Sequence, residues 1–142
     1  MLEFSAAGLY AVRFPLRFRA SGSHASDAVC SRAARLFRDY FRRPGVSLNP
    51  IRVDYSGLTP FQKKIYVSLR KVRAGQTVTY GELARRAGFP GAARAVGSAM
   101  RENRLPIVIP CHRVVPATGG IGHYAAGKSR KRFLLMREKT LR

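Results

Sequence analysis

The chain predicts an α+β fold: a small N-terminal antiparallel sheet with one helix, followed by a mostly helical C-terminal part built around a helix-turn-helix. Three observations carry this. Apolar residues alternate at period two near the N-terminus, recur at helical spacing from Val29 onward, and two Thr-led capping boxes open helices after Leu58. The division falls at residues 1–56 and 57–142.

In the first part, "LEF" and "LYAVRFPLRF" read as strands joined by a turn at "SAAG". Val12, Phe14, Leu16 and Phe18 share one face, Arg13, Arg17 and Arg19 the other, and Pro15 argues for an edge or a bulge. Then "SDAVCSRAARLFRDYFRR" sets Val29, Ala33, Leu36, Phe37, Tyr40 and Phe41 on one helical stripe, with Ser26 or Asp27 as N-cap. Cys30 lies beside that stripe and reads as a small core residue. After Pro44-Gly45, "PIRVDY" alternates again and is expected to close the sheet as a third strand.

"SGLTP" reads as the hinge into the second part, because Thr59-Pro60-Phe61-Gln62 is a capping box with proline at the first helical position. Phe61, Ile65 and Leu69 form the apolar face of that helix. A second box, Thr79 to Glu82, opens "YGELARRAG", which Gly88 ends, and a Pro90-Gly91 turn leads to "AARAVGSAMREN". Two short helices across a tight turn suggest helix-turn-helix. "VVPATGGIGHYAAG" is a loop or wing, and "SRKRFLLMREK" a closing helix.

The charge is strongly one-sided: 27 Lys and Arg against 7 Asp and Glu give +20. The basic residues interleave with apolar ones, so a folded domain carries the field and a polyanion is the expected partner. Two cysteines, Cys30 and Cys111, lie far apart in the chain and outside any metal-ligand spacing, which points away from a disulfide framework or zinc site and toward a reducing compartment. No apolar run is long enough to span a bilayer, and Met1 opens without the flank of a signal peptide; a soluble intracellular protein is expected.

The third helix is built of small residues: Ala92, Ala93, Ala95, Gly97, Ser98 and Ala99, with Arg94 and Arg101 as its long side chains. That composition allows either tight packing within the core or close approach to a nucleic-acid backbone or minor groove, with Arg94 available for insertion. The stretch "LPIVIPCHRVV" sets Cys111 beside His112 after an aliphatic run. A nucleophilic cysteine needs a populated thiolate, a base within reach directly or through one water, and a group that orients the base. His112 suits the second requirement. Glu138 is either the third or a surface carboxylate among basic neighbours.

Taken in order, "TPFQ", "TYGELA", "AARAVGSAM", Asn103, "LPIVIPCHRVV", "GGIGHYAAG" and "KRFLLMRE" closely resemble the O6-alkylguanine-DNA alkyltransferases, over roughly Leu58 to Glu138. The resemblance implies that Cys111 accepts an alkyl group, His112 is a water-mediated base, Glu138 orients His112, and Asn103 braces the active-site turn. It implies further that Tyr80 assists nucleotide rotation and donates to the guanine, and that Arg94 fills the gap left in the duplex. Ala93, Ala95, Gly97, Ser98 and Arg101 would complete the DNA face. Carbonyls of Cys111 and Val114 would accept from the exocyclic amine, with the Ala125 N–H facing O6 beside Tyr124.

The implied partner is double-stranded DNA carrying O6-alkylguanine, with O4-methylthymine a further substrate, bound through the minor groove by a monomer. No cofactor and no metal are implied, and the zinc-binding cysteines and histidines in some relatives' N-terminal regions have no counterpart here, since only His24 and Cys30 are available. Localisation would be cytoplasmic, or nuclear in a eukaryote. The N-terminal pattern is compatible with the family's ribonuclease-H-like domain, and the C-terminal part with its winged helix-turn-helix. Three positions depart from the family pattern: Arg104 stands where proline is usual, Phe133 where tryptophan is common, and Ala126 where glycine is frequent. A non-catalytic lesion-binding relative is the alternative, but such proteins lack a cysteine at the position of Cys111.

Overall fold

The computed structural model describes residues 1–14, 20–21 and 26–139. Strands β1 (Leu2–Ser5) and β2 (Gly8–Val12) pair antiparallel across the turn at Ala6-Ala7, with a bulge between Glu3 and Phe4. The third strand differs from expectation. It is β3 (Ala20–Ser21), running parallel to β1, so the sheet order is β2-β1-β3 and its pairing is mixed. "PIRVDY" contributes only a bridge between Leu9 and Val53, held by Leu9 N–H to the Arg52 carbonyl (2.8 Å) and Asp54 N–H to the Leu9 carbonyl (2.9 Å). Gly8 makes that approach possible: a Cβ there would stand 2.6 Å from the Arg52 oxygen.

The alternation expected through Phe18 stops earlier. Strand β2 ends at Val12, Phe14 packs partly buried against the core, and Pro15 to Arg19 and His24 lie outside the described residues. Within β2, Ala11 and Val12 are both buried. Val12 donates its N–H to the Arg104 carbonyl (2.8 Å), so the C-terminal part covers the end of this strand.

Helix α1 (Asp27–Arg42) buries Ala33, Phe37 and Tyr40, with Leu36 and Phe41 half-buried. Ser26 occupies the N-cap without a side-chain bond. Val29, expected in the apolar stripe, is 48% exposed, because the first turn borders a cleft shared with Phe4, Leu36 and Ile51 instead of closing on the sheet.

Both capping boxes form as the sequence requires. Helix α2 (Pro60–Leu69) begins with Thr59 Oγ1 accepting from Gln62 N–H (3.1 Å) and Gln62 Oε1 accepting from Thr59 N–H (2.9 Å). Helix α3 (Tyr80–Arg86) repeats the device with Thr79 and Glu82, and follows directly on the short strand β4 (Val78–Thr79). Gly88, at φ +86°, turns the chain out of α3, and Gly91, at φ +84°, turns it toward α4 (Ala93–Arg101). Leu83 and Ala84 of α3 and Val96, Ala99 and Met100 of α4 are buried.

A single turn of 3-10 helix, Cys111–Arg113, leads into β5 (Val114–Val115), which pairs parallel with β4. Residues Pro116 to Gly127 form a loop, and α5 (Lys128–Arg137) closes the fold. One buried apolar cluster runs from Leu2 through Leu134, so the sheet and the helical part share a core. No helix among the described residues is long and apolar enough to cross a membrane.

Candidate active site

The aliphatic run delivers Cys111 to the core's edge: Leu105, Ile107, Val108 and Ile109 are all buried, and Cys111 is 7% exposed. Its sulfur accepts a hydrogen bond from Asn103 Nδ2 (3.1 Å), an atom that also donates to the Ile109 carbonyl (2.9 Å). Asn103 Oδ1 in turn accepts from Leu105 N–H (2.9 Å), which locks the amide's orientation. Burial pushes the thiol's pKa up, while Asn103, Tyr124 and the Lys131 ammonium pull it back down. The Tyr124 hydroxyl is buried without a partner in hydrogen-bond geometry, yet lies close enough to the sulfur for each to shift the other's titration.

Adjacent in sequence, His112 turns away from solvent altogether, at 0% exposure. Its Nε2 lies 3.0 Å from Glu138 Oε1. Burial lowers its pKa despite the carboxylate, so the ring is neutral, donates from Nε2 to Glu138 and leaves Nδ1 as an acceptor. Nδ1 is buried and has no protein partner among the described residues. An imidazole in this tautomer is prepared to take a proton, and its carboxylate to stabilise the imidazolium that results.

Glu138 sits one residue beyond α5, as its C-cap, and is buried. The alternative of a surface carboxylate is thereby set aside. Besides His112, it is held by Arg113 through Nε to Oε2 (2.9 Å) and Nη2 to Oε1 (2.7 Å), and by the Tyr40 hydroxyl to Oε1 (2.6 Å). Burial alone would raise its pKa, but the His112 and Arg113 bonds outweigh it and hold the carboxyl well below the usual range. Arg113 directs Nη1 to the Val72 carbonyl (2.5 Å), so the guanidinium is satisfied on several sides.

Sequence reasoning missed Arg113 and Tyr40 as parts of this cluster, and also Lys131. Lys131 is wholly buried, and its Nζ donates to the carbonyls of Val114 (2.6 Å) and His123 (3.3 Å). Desolvation lowers its pKa to about 8, partly offset by Cys111. The signal was present: Lys131 shares a face with Leu134, Leu135 and Glu138 at spacings of three, four and seven, the buried face of α5.

The sulfur opens on a cleft of about 650 Å³ lined by Tyr80, Arg94, Gly97, Ser98, Met100, Arg101, Cys111, His123, Tyr124 and Ala125. Eight of the anticipated residues therefore meet there. Tyr80, at the start of α3, reaches over Gly97, whose Cβ position would be 4.0 Å from the ring. Burial and Cys111 raise its pKa, which keeps the phenol a donor. Arg94 and Ala95 are exposed on α4, Ala93 is half-buried, and Arg101 donates to Ser98 Oγ (3.2 Å). Ala95 faces a neighbouring depression with Thr59 and Glu102, away from the sulfur. Val114 is fully buried and does not line the cleft, and Lys131 already bonds its carbonyl. Among the described residues no three His, Cys, Asp or Glu side chains gather as metal ligands.

A recessed thiol with a fixed amide donor, a nearby ammonium and a neutral histidine on a buried carboxylate has the parts of a cysteine nucleophile, carried on an α+β frame and opening beside a basic helix. Comparison with known proteins agrees with that class. Residues 60–140 match the family model described as 6-O-methylguanine DNA methyltransferase, DNA binding domain. The chain is 48% identical over 104 residues to the methylated-DNA–protein-cysteine methyltransferase of Shigella flexneri, covering 73% of this chain and 60% of that protein. It superposes on Mycobacterium tuberculosis OGT in complex with DNA with a TM-score of 0.78 at 33% identity, covering 98% of this chain and 85% of the other. It also resembles S. pombe Atl1 in complex with damaged DNA containing O6-carboxymethylguanine, with a TM-score of 0.51 at 36% identity, over 56% of this chain and 75% of the other. The chain belongs to the 6-O-methylguanine DNA methyltransferase family. It spans about 60% of the length of the first curated relatives it matches.

Proposed function

We propose that this protein repairs DNA by drawing O6-alkylguanine out of the duplex and transferring the alkyl group irreversibly to Cys111. The observation that carries the proposal is the assembly of the Asn103-bonded sulfur, neutral His112 and buried Glu138 behind the cleft that Tyr80 and Arg94 line. An alkyl group on guanine O6 is inaccessible inside a stacked duplex, so the nucleotide must be extruded to meet a recessed thiol.

In the proposed step the Cys111 proton passes to His112 Nδ1, through one water, and Glu138 stabilises the imidazolium. The sulfur attacks the alkyl carbon, an S–C bond forms, the C–O6 bond breaks, and its electron pair stays with guanine. Tyr80 donates toward the leaving base and offsets the charge that develops there. The product is a thioether, which neither water nor a neighbouring base readily cleaves, so each molecule acts once. Lys131 and Asn103 stabilise the thiolate against the cost of burial.

Arg94 would occupy the space the base vacates, with α4 in the minor groove as the second helix of a winged helix-turn-helix and loop 116–127 as the wing. A ribonuclease-H-like relation for the N-terminal sheet, a monomeric state, O4-methylthymine as a further substrate, and cytoplasmic or nuclear residence belong to the same proposal. Because Lys131 already bonds the Val114 carbonyl, that carbonyl would accept from the guanine amine with its remaining lone pair.

The test is to mix the protein with duplex DNA containing O6-methylguanine and map added methyl by peptide mass spectrometry. One methyl per molecule on the Cys111 peptide, with none gained on further DNA, is the expected result. Binding without transfer would instead identify a lesion-binding protein, and methyl on Cys30 would overturn the assignment of the acceptor.

A further inference from the structure

We propose that Arg104 is a positioning residue for Cys111, acting through Asn103 and making the reactivity of the thiol depend on the N-terminal sheet. Asn103 uses both ends of its amide on the active-site turn and reaches the sulfur at 3.1 Å. The next residue is fixed at five points to the other side of the molecule. Its carbonyl accepts from Val12 N–H (2.8 Å). Its Nε donates to the Tyr10 carbonyl (2.9 Å), and its Nη2 to the carbonyls of Asp54 (3.2 Å) and Ser56 (2.7 Å). The guanidinium also lies over the Tyr10 ring, 4.0 Å from its centroid.

Arg104 thus turns its planar fork inward on backbone carbonyls from two segments, β2 and residues 54–56. A lysine there, with one compact ammonium, could not span three carbonyls and stack on the ring as well. Because one peptide separates these anchors from Asn103, they hold the backbone position from which its amide, oriented by Leu105 and Ile109, meets the sulfur. A hydrogen bond weakens steeply as its angle opens, so loosening Arg104 costs the thiolate a donor.

The sulfur also faces Lys131 from α5, Tyr124 from the preceding loop, Tyr66 from α2 and Tyr80 from α3, beside His112 with its Glu138 and Arg113. Of these, Tyr66 also feels the Arg104 charge, which Arg104→Lys retains while removing the fork. The inference rests on Cys111 being the reacting group, and its test is chosen to be independent of DNA.

The rate of Cys111 alkylation by iodoacetamide, followed by peptide-resolved mass spectrometry from pH 6 to pH 10, is compared for wild type, Arg104→Ala and Arg104→Lys, each kept well below its thermal midpoint. Both variants should move the reactivity midpoint upward by about half to one unit and lower the rate at pH 7 about three- to tenfold. Arg104→Lys keeps the charge, so a wild-type profile in that variant would overturn the tether. Lower thermal midpoints with unchanged profiles in both variants would overturn it too and leave a purely structural residue. Should Arg104→Ala fail to fold, Arg104→Lys alone decides. If wild type accepts no methyl from damaged DNA, the proposed function fails, while the iodoacetamide profiles still show whether Arg104 tunes the thiol.

Discussion

Replacing Glu138 with glutamine is the most informative single change. The carboxylate accepts four bonds, three at Oε1 from His112, Arg113 and Tyr40 and one at Oε2 from Arg113. A glutamine has one oxygen, and either orientation of its amide points an NH2 group at an arginine donor. Arg113, whose side chain is 10% exposed, then keeps its charge without a counter-ion. Leaving one partner of a buried pair uncompensated costs about 3–5 kcal/mol. At ~3–5 °C per kcal/mol for a chain of this size, the thermal midpoint should fall roughly 9–25 °C. His112 also loses its anionic partner, so the alkyl-transfer rate should fall on the order of a hundredfold. The sign of the pH dependence follows from the lowered pKa of Glu138: its contribution is present in full above the ordinary value of 4.5 and is lost as pH falls through the folded-state value. Thermal midpoints from pH 7 downward should therefore decline more steeply below about pH 4.5 in wild type than in the variant. A folded Glu138→Gln protein with a wild-type midpoint and transfer rate would refute the reasoning, because the cluster would then be neither a stabilising knot nor a support for the base.

Three further outcomes are expected. Tyr40→Phe removes one donor to Glu138 and should cost about 1–2 kcal/mol in chemical denaturation, with far less loss at an exposed position at the other end of α1 such as Val29→Ala. Gly122→Ala should fail to accumulate as folded protein, since Gly122 has φ +68° and an added Cβ would lie 2.7 Å from two Pro116 ring carbons; a normal circular dichroism melt would contradict this. Lys131→Met removes the buried ammonium and should raise the pH at which Cys111 reacts with small alkylating reagents, and an unchanged profile would show that the charge does not reach the sulfur.

Helical elements were legible where local chemistry specifies them. Thr59 and Thr79 announce their boxes, Gly88 ends α3, and the apolar stripe of α1 is buried or half-buried apart from the exposed first turn at Val29. The third strand was not legible, because alternation in "PIRVDY" describes a half-buried extended segment whether or not it pairs, and only the single approach at Gly8 lets Leu9 bridge it. For the site, Cys111, His112, Asn103 and Glu138 could be drawn from the chain through their resemblance to a known family. Tyr40 and Arg113 looked like an ordinary core aromatic and one basic residue among many. Their work depends on what α5 brings opposite them, and such nonlocal pairing leaves no mark at the residues themselves.

Arg137 donates to the carbonyls of Tyr40 and Phe41 (both 3.1 Å), two of the unpaired carbonyls at the end of α1, while the neighbouring Glu138 takes the Tyr40 hydroxyl. The last turn of the first helix and the carboxylate bonded to His112 are therefore joined through Arg137 and Glu138, adjacent in the chain. Opening of the last turn of α1 removes one of the four bonds on Glu138, and amide hydrogens of Cys111 to Arg113 should exchange faster when that turn opens. A molecule whose first helix has frayed would retain its cysteine and hold the carboxylate behind His112 by Arg113 and the imidazole alone.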